Sequence, residues 1–183
     1  MRVLITSDWQ TQFQNLSQCD HAAEKILSLC KQKSLEAVVV AGDIKQNYNP
    51  VDYRVIEWWR NFIKQLRGQD VTPLMVLGNH DRIGLYQDAR NWLPILEDAG
   101  AEVFWEVDSY GMRSGGMVYI LPFAGTTERW DNGIAYLNRE KPNPKKDILI
   151  FHQTLTGAKF NKMGAVASPD QGVSLASLHP ECY

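Results

Sequence analysis

The sequence predicts an α/β fold built on a mostly parallel core. Three observations carry that prediction. Short runs rich in Val, Ile and Leu recur at residues 2–7, 37–41, 74–77 and 147–151, with the apolar character of buried parallel strands. In the first half of the chain these runs alternate with segments of helical period, which implies right-handed crossovers between parallel strands. Each run also stops at residues able to bind a metal or move a proton: Asp8, Asp43, Asn79 with His80, and His152. Parallel strands bring such ends to one edge of a sheet, where open α/β folds build their sites.

Length and composition agree with this. A chain of 183 residues suits one domain, residues 1–183, with a sizeable core. The hydrophobic fraction of 44% and charged fraction of 22% are ordinary for a soluble globular protein. No apolar run reaches the length of a membrane span, and Asp8 interrupts the N-terminal run too early for a signal peptide. The formal net charge of -2 provides no global basic field for nucleic acid, so attraction for phosphates must come from a local patch or bound metal. Cys19, Cys30 and Cys182 lack metal-type spacing and read as free thiols in a reducing, cytoplasmic setting.

Taken in order, residues 2–7 read as a first, central strand ending at Asp8-Trp9-Gln10. Ser17 with Asp20 three residues on resembles a capping box, and Ala22, Ile26, Leu29 and Cys30 recur at helical spacing, so a helix is expected over 17–33. His21, alone in its first turn, reads as a surface residue. The second strand, 37–41, stops at Gly42-Asp43. Pro50 suits the first turn of a second helix, in which Ile56, Trp59, Ile63 and Leu66 form an apolar stripe. Arg60, Lys64 and Arg67 beside it read as a solvated face. The third strand breaks at Gly78, where the backbone needs freedom to turn, and Asn79, His80 and Asp81 follow at once. Residues 86–100 read as a helix ending at a C-cap glycine, and 101–105 as a short strand. Residues 106–113 and 117–121 form an antiparallel hairpin around Gly115-Gly116. Thr127 opens a further helix through Asn138, and 147–151 is the strand that ends at His152. Residues 153–183 show no strong period and read mostly as loop.

Carboxylate, amide oxygen and imidazole together make a mixed oxygen and nitrogen donor set, suited to manganese, iron or zinc rather than calcium. A strand capped by a polar turn would explain any one of these ends; four in one chain favour a site.

The four blocks Asp8-Trp9-Gln10, Gly42-Asp43, Gly78-Asn79-His80-Asp81 and Phe151-His152 resemble, in order and spacing, those of the calcineurin-like metallophosphoesterases. The intervals are 43 − 8 = 35 and 79 − 43 = 36 residues. The resemblance covers essentially the whole chain. It implies an αββα layered sandwich and two divalent metal ions, Mn2+ first, with Fe2+ or Zn2+ as alternatives. On this resemblance Asp8 binds the first metal, Asp43 bridges both, and Asn79 and His152 bind the second. His80 stays unligated and acts on the leaving-group oxygen or the transition state, and Asp81 orients the turn or His80. Two cations about 4 Å apart hold a hydroxide and clamp a phosphate oxygen for in-line attack.

Two departures stand out. The family usually has His where this chain has Gln10, whose amide oxygen is a weaker ligand. The final Gly-His-x-His block is absent, His179 being the only histidine after His152, so the chain reads as lacking its C-terminal part. Ile44-Lys45-Gln46-Asn47 after Gly42-Asp43 argues against the phosphoprotein phosphatases, and Phe151-His152-Gln153 is more similar to the SbcD-like DNA-repair exonucleases. That branch implies DNA as substrate, an ATPase partner subunit and a possible homodimer. Trp9 could stack on a base, though packing is the commoner role of such a residue. Lys45 and Arg82 could each meet a phosphate; solvent-exposed loop charge is the alternative. Two other functions stay open: a small-molecule phosphodiesterase, and a scaffold module of a nuclease assembly that hydrolyses nothing.

Overall fold

The computed structural model describes residues 1–47, 50–83, 91–156, 173–174 and 176. Four parallel strands form the first sheet in the order β1-β2-β3-β4: β1 (Val3–Thr6), β2 (Ala37–Ala41), β3 (Thr72–Val76) and β4 (Glu102–Phe104). A second, mixed sheet has the order β5-β6-β7. Here β5 (Asp108–Gly111) pairs antiparallel with β6 (Met117–Leu121), and β6 pairs parallel with β7 (Ile148–Phe151). Among the described residues three α-helices flank the sheets: α1 (Leu16–Lys33), α2 (Tyr53–Gly68) and α3 (Thr127–Glu140).

The period-2 alternation of each strand builds the layers. Val38, Val40, Met75 and Leu77 face α1 and α2, where Ile26, Trp59, Phe62 and Ile63 close the first core. On the opposite face Ala37, Val39, Leu74 and Val76 meet Val118, Ile120 and Ile150 of the second sheet. The outer face of that sheet, Tyr119 and Leu121, packs on Trp130, Ile134 and Leu137 of α3. The result is the expected αββα sandwich, and both β2 and β3 are buried along their whole length.

Several expectations are corrected. β1 ends the sheet order instead of lying centrally, and Ile5 is 51% exposed. An apolar run reports burial potential; its place in the sheet depends on distant partners. The strand that ends at His152 belongs to the second sheet, paired with β6, so the four strand ends come from two facing sheets. The first helix starts at Leu16 with Asn15 as N-cap and no side-chain cap, because a 3-10 turn, Phe13–Asn15, leads directly into it. The second starts at Tyr53, not at Pro50: Asp52 caps it by accepting the Arg54 N–H at 2.9 Å. The expected helix over 86–100 is a 3-10 helix, Leu93–Ala99, closed by Gly100 in the left-handed conformation; residues 84–90 lie outside the described residues. His179 and Cys182 also lie outside them. Cys19 and Cys30 are buried free thiols with pKa values pushed up by burial. Among the described residues no helix is long and apolar enough to cross a membrane.

Candidate metal centre

The segment after β1 runs alongside the segment after β2 and extends their ladder into the loops. Asp8 N donates to Gly42 O at 3.1 Å, Gln10 N to Asp43 O at 2.9 Å and Thr11 N to Ile44 O at 3.0 Å. Asp8, Gln10 and Asp43 all have positive φ, at 54°, 44° and 52°. Non-glycine residues held there store of order 1 kcal/mol each and cluster at functional sites. Tertiary packing imposes the conformation. Trp9 is wedged among Trp58, Trp59 and Phe62, with ring centroids 5.1–5.8 Å away. Trp9 is therefore a packing residue that pins the loop between Asp8 and Gln10.

Two glycines allow close approach. A Cβ on Gly42 would stand 2.2 Å from Nδ1 of His152, and one on Gly78 would stand 2.1 Å from the Asp43 nitrogen and 2.4 Å from its Oδ1. These glycines bring the three strand ends together. His152 Nε2 lies 3.2 Å from Asn79 Oδ1 and 3.4 Å from Asp43 Oδ1. His152 Nδ1 lies 2.8 Å from Ala41 O and donates its proton there, which turns Nε2 toward the two oxygens. His152 Nε2 thus faces two oxygens, an arrangement that either a proton on the ring or a bound cation would satisfy.

Those distances fit a cation. Donors about 2.1 Å from one ion stand roughly 3.0–3.4 Å apart in octahedral or tetrahedral arrangement. Among the described residues no group of three or more Asp, Glu, His or Cys side chains could by itself hold a metal ion; the third polar atom here is the Asn79 amide oxygen. Asp8 is exposed, its carboxylate accepting from the Ser7 hydroxyl at 2.6 Å, and its charge acts on the His152 imidazole. Gln10 is fixed through its backbone, its carbonyl accepting from Asn15 Nδ2 at 3.2 Å. The structure therefore assembles Asp43, Asn79 and His152 tightly and sets Asp8 and Gln10 on the rim beside them.

Electrostatics follow from this packing. Burial works against the charge of Asp43, but the hydrogen bonds from His152 and from the His80 N–H, with both imidazoles near, hold its pKa below the usual carboxylate value. Burial likewise opposes charge on His152; its contacts with Asp43 and Ala41 outweigh that and raise its pKa. His80 approaches from the other side: Nε2 is 3.9 Å from Asp43 Oδ2, and Nδ1 is 2.8 Å from Gln46 O.

Asp81 points away from the donors. Its carboxylate is 0% exposed and accepts from the N–H groups of Ile44, Lys45 and Gly78 and from Trp92 Nε1, at 3.0–3.3 Å. Burial pushes its pKa up against those hydrogen bonds. It ties the β2 loop to the β3 loop and so orients the turn that carries His80. Lys45 and Arg82 are neither solvent-exposed charges nor open to a phosphate, at 2% and 7% exposed. Lys45 donates to Asn47 O at 2.7 Å and to His80 O. The Arg82 guanidinium lies 5.8 Å from the centroid of the Phe123 ring. Sequence reasoning did not find the Ala41 and Gln46 carbonyls, because a backbone acceptor leaves no trace in residue type. The glycines at 42 and 78, each next to a donor, were the available signal.

Four layers, a parallel sheet whose loops carry the donors, and an oxygen–nitrogen centre between two sheets define a phosphoesterase-type domain. The chain belongs to the calcineurin-like phosphoesterase family, whose model matches residues 1–172. It is 28% identical over 173 residues to "Putative phosphoesterase 078R" of Invertebrate iridescent virus 3, covering 92% of this chain and 48% of that protein. The chain thus spans about half the length of this curated relative. Among solved structures it is similar to the nuclease MPE of Pseudomonas putida, with a TM-score of 0.39 and 15% identity, over 56% of this chain and 47% of that one.

Proposed function

We propose that the chain hydrolyses phosphoric esters, acting on phosphodiesters of DNA at a centre of two divalent cations, with Mn2+ preferred over Fe2+ or Zn2+. The observation that carries this reading is the convergence of Asp43 Oδ1, Asn79 Oδ1 and His152 Nε2, with His80 Nε2 across from them. Divalent cations bound there supply Lewis-acid charge and an activated water. The protein's own residues do the rest. Asp43, Asn79 and His152 would hold the second cation, and Asp8 and Gln10 would complete the first position with Asp43. The Asp43 carboxylate offsets repulsion between the two charges. His80, anchored at Nδ1 on Gln46 O, presents Nε2 toward Asp43, and only with a second proton, on Nε2, would the ring pass one to the leaving oxygen while Nδ1 keeps its bond to Gln46 O.

The run Phe151-His152-Gln153 supports placing the chain near the SbcD-like exonucleases. On that reading it works in the cytoplasm with an ATPase subunit or a second copy of itself. The test uses purified chain with Mn2+, an activated phosphodiester and end-labelled DNA. Metal-dependent cleavage of both is expected. Tight metal binding by calorimetry without cleavage of either would sink the enzyme reading in favour of a binding role.

A further inference from the structure

The orientation of His80 depends on two loops at once, since the donor, Nδ1–H, is on the loop after β3 and the acceptor, Gln46 O, is on the loop after β2. Something must hold those loops in register. The Lys45 ammonium bonds carbonyls on both sides: Asn47 O at 2.7 Å on its own loop and His80 O on the other. On the far side the Asp81 carboxylate does the same with N–H groups, joining Ile44 and Lys45 to Gly78. A cation and an anion, each nearly or fully buried, thus clamp the same pair of loops with opposite polarity.

We propose that Lys45 is a positioning residue for His80, cross-linking the two loops so that the imidazole stays anchored on Gln46 O with Nε2 facing Asp43. The proposal rests on the catalytic role given to His80 above, but its geometric half stands apart from any activity. The Lys45 ammonium is aimed at backbone carbonyls, and the anchor for His80 is the backbone oxygen of residue 46, not its side chain. Lys45 is 2% exposed, so its ammonium is held out of bulk water. Solvation of a surface lysine would leave its rotamer free; here the stem is trapped and its donors are aimed.

The experiment has a structural arm and a kinetic arm. In the unmodified chain, proton–nitrogen NMR should show Lys45 ammonium protons protected from solvent exchange and an Nδ1-protonated His80 ring. Rapid exchange at Lys45, or a His80 ring without a proton on Nδ1, would overturn the proposal whether or not any variant folds. In Lys45→Met the Nδ1–H signature should be lost. Turnover should fall about 10- to 100-fold, with KM and metal affinity unchanged within about twofold, as for loss of oriented proton transfer. A folded Lys45→Met with full turnover and an intact His80 signature would refute the positioning role while leaving the hydrolase reading untouched. Absence of all hydrolysis in the unmodified chain, with the NMR signatures present, would fail the hydrolase reading and leave the positioning intact.

Discussion

Gly42→Ala tests how closely the donor set is packed. Gly42 has φ +89°, where a side chain strains the backbone by about 1–2 kcal/mol. The added methyl carbon would stand 2.2 Å from His152 Nδ1, whereas ordinary contact begins near 3.4 Å, so the imidazole must retreat by 3.4 − 2.2 = 1.2 Å. That displacement breaks the 2.8 Å hydrogen bond to Ala41 O, and losing a buried bond costs about 1–3 kcal/mol. Together the variant should lose roughly 2–5 kcal/mol of stability. It should also bind Mn2+ about 10- to 100-fold more weakly, the usual consequence of releasing a metal-binding histidine from its anchor. Urea denaturation and calorimetric metal titration measure the two effects. Gly115→Ala is the control: φ is +85° but nothing lies within 4 Å, so it should show the backbone strain and no change in metal affinity. A Gly42→Ala chain as stable as Gly115→Ala, with unaltered metal affinity, would refute the packing argument.

Further outcomes follow from the same site. His80→Ala should slow turnover by about two to four orders of magnitude with metal still bound, whereas Asn79→Ala and His152→Ala should weaken metal binding itself; equilibrium dialysis beside kinetics separates the two. Metal affinity should weaken as pH falls from about 7.5 to 5.5, because the Nε2 lone pair of His152 must be free of its proton to bind, and calorimetry in buffers of different ionisation enthalpy should register proton release. In the metal-free chain Lys45 has a folded pKa of about 8 against an ordinary value of 10.5. The unfolded chain therefore holds more protons between those values, and stability should rise with pH across that window, by roughly 3 kcal/mol at most. Lys45→Met should flatten the rise, and parallel slopes in denaturant titrations of the two chains would contradict the burial assigned to Lys45.

The parts of the fold legible in sequence were those set by local pattern. The β2 and β3 runs were recognisable because both faces are buried, so no polar residue interrupts either stretch from 37 to 41 or 74 to 77. The hairpin was legible from Gly115-Gly116. What escaped was set by partners distant in sequence. Nothing in residues 2–7 reveals that β1 closes the sheet, and nothing in 147–151 reveals pairing with β6. At the site, side-chain identity singled out Asp43, Asn79, His80 and His152, because their types announce their chemistry. It misplaced Lys45 and Arg82, since a charged residue in a loop ordinarily stays in water and burial becomes visible only when carbonyls or an aromatic ring are seen to receive it.

Building the centre from two sheets also fixes when it comes into being. Asn79 and His152 are 73 residues apart, so on the ribosome the amide emerges well before the imidazole that completes the set. At about 5–20 residues per second the interval is roughly 4–15 s. During it the nascent chain displays Asp43 and Asn79 with no nitrogen donor from the second sheet, and Gly42 borders a slot still to be filled. On the proposed metal reading, cation capture would be a late event in biogenesis, coincident with docking of β7, and metal uptake by a growing chain would time the closure of its inter-sheet core.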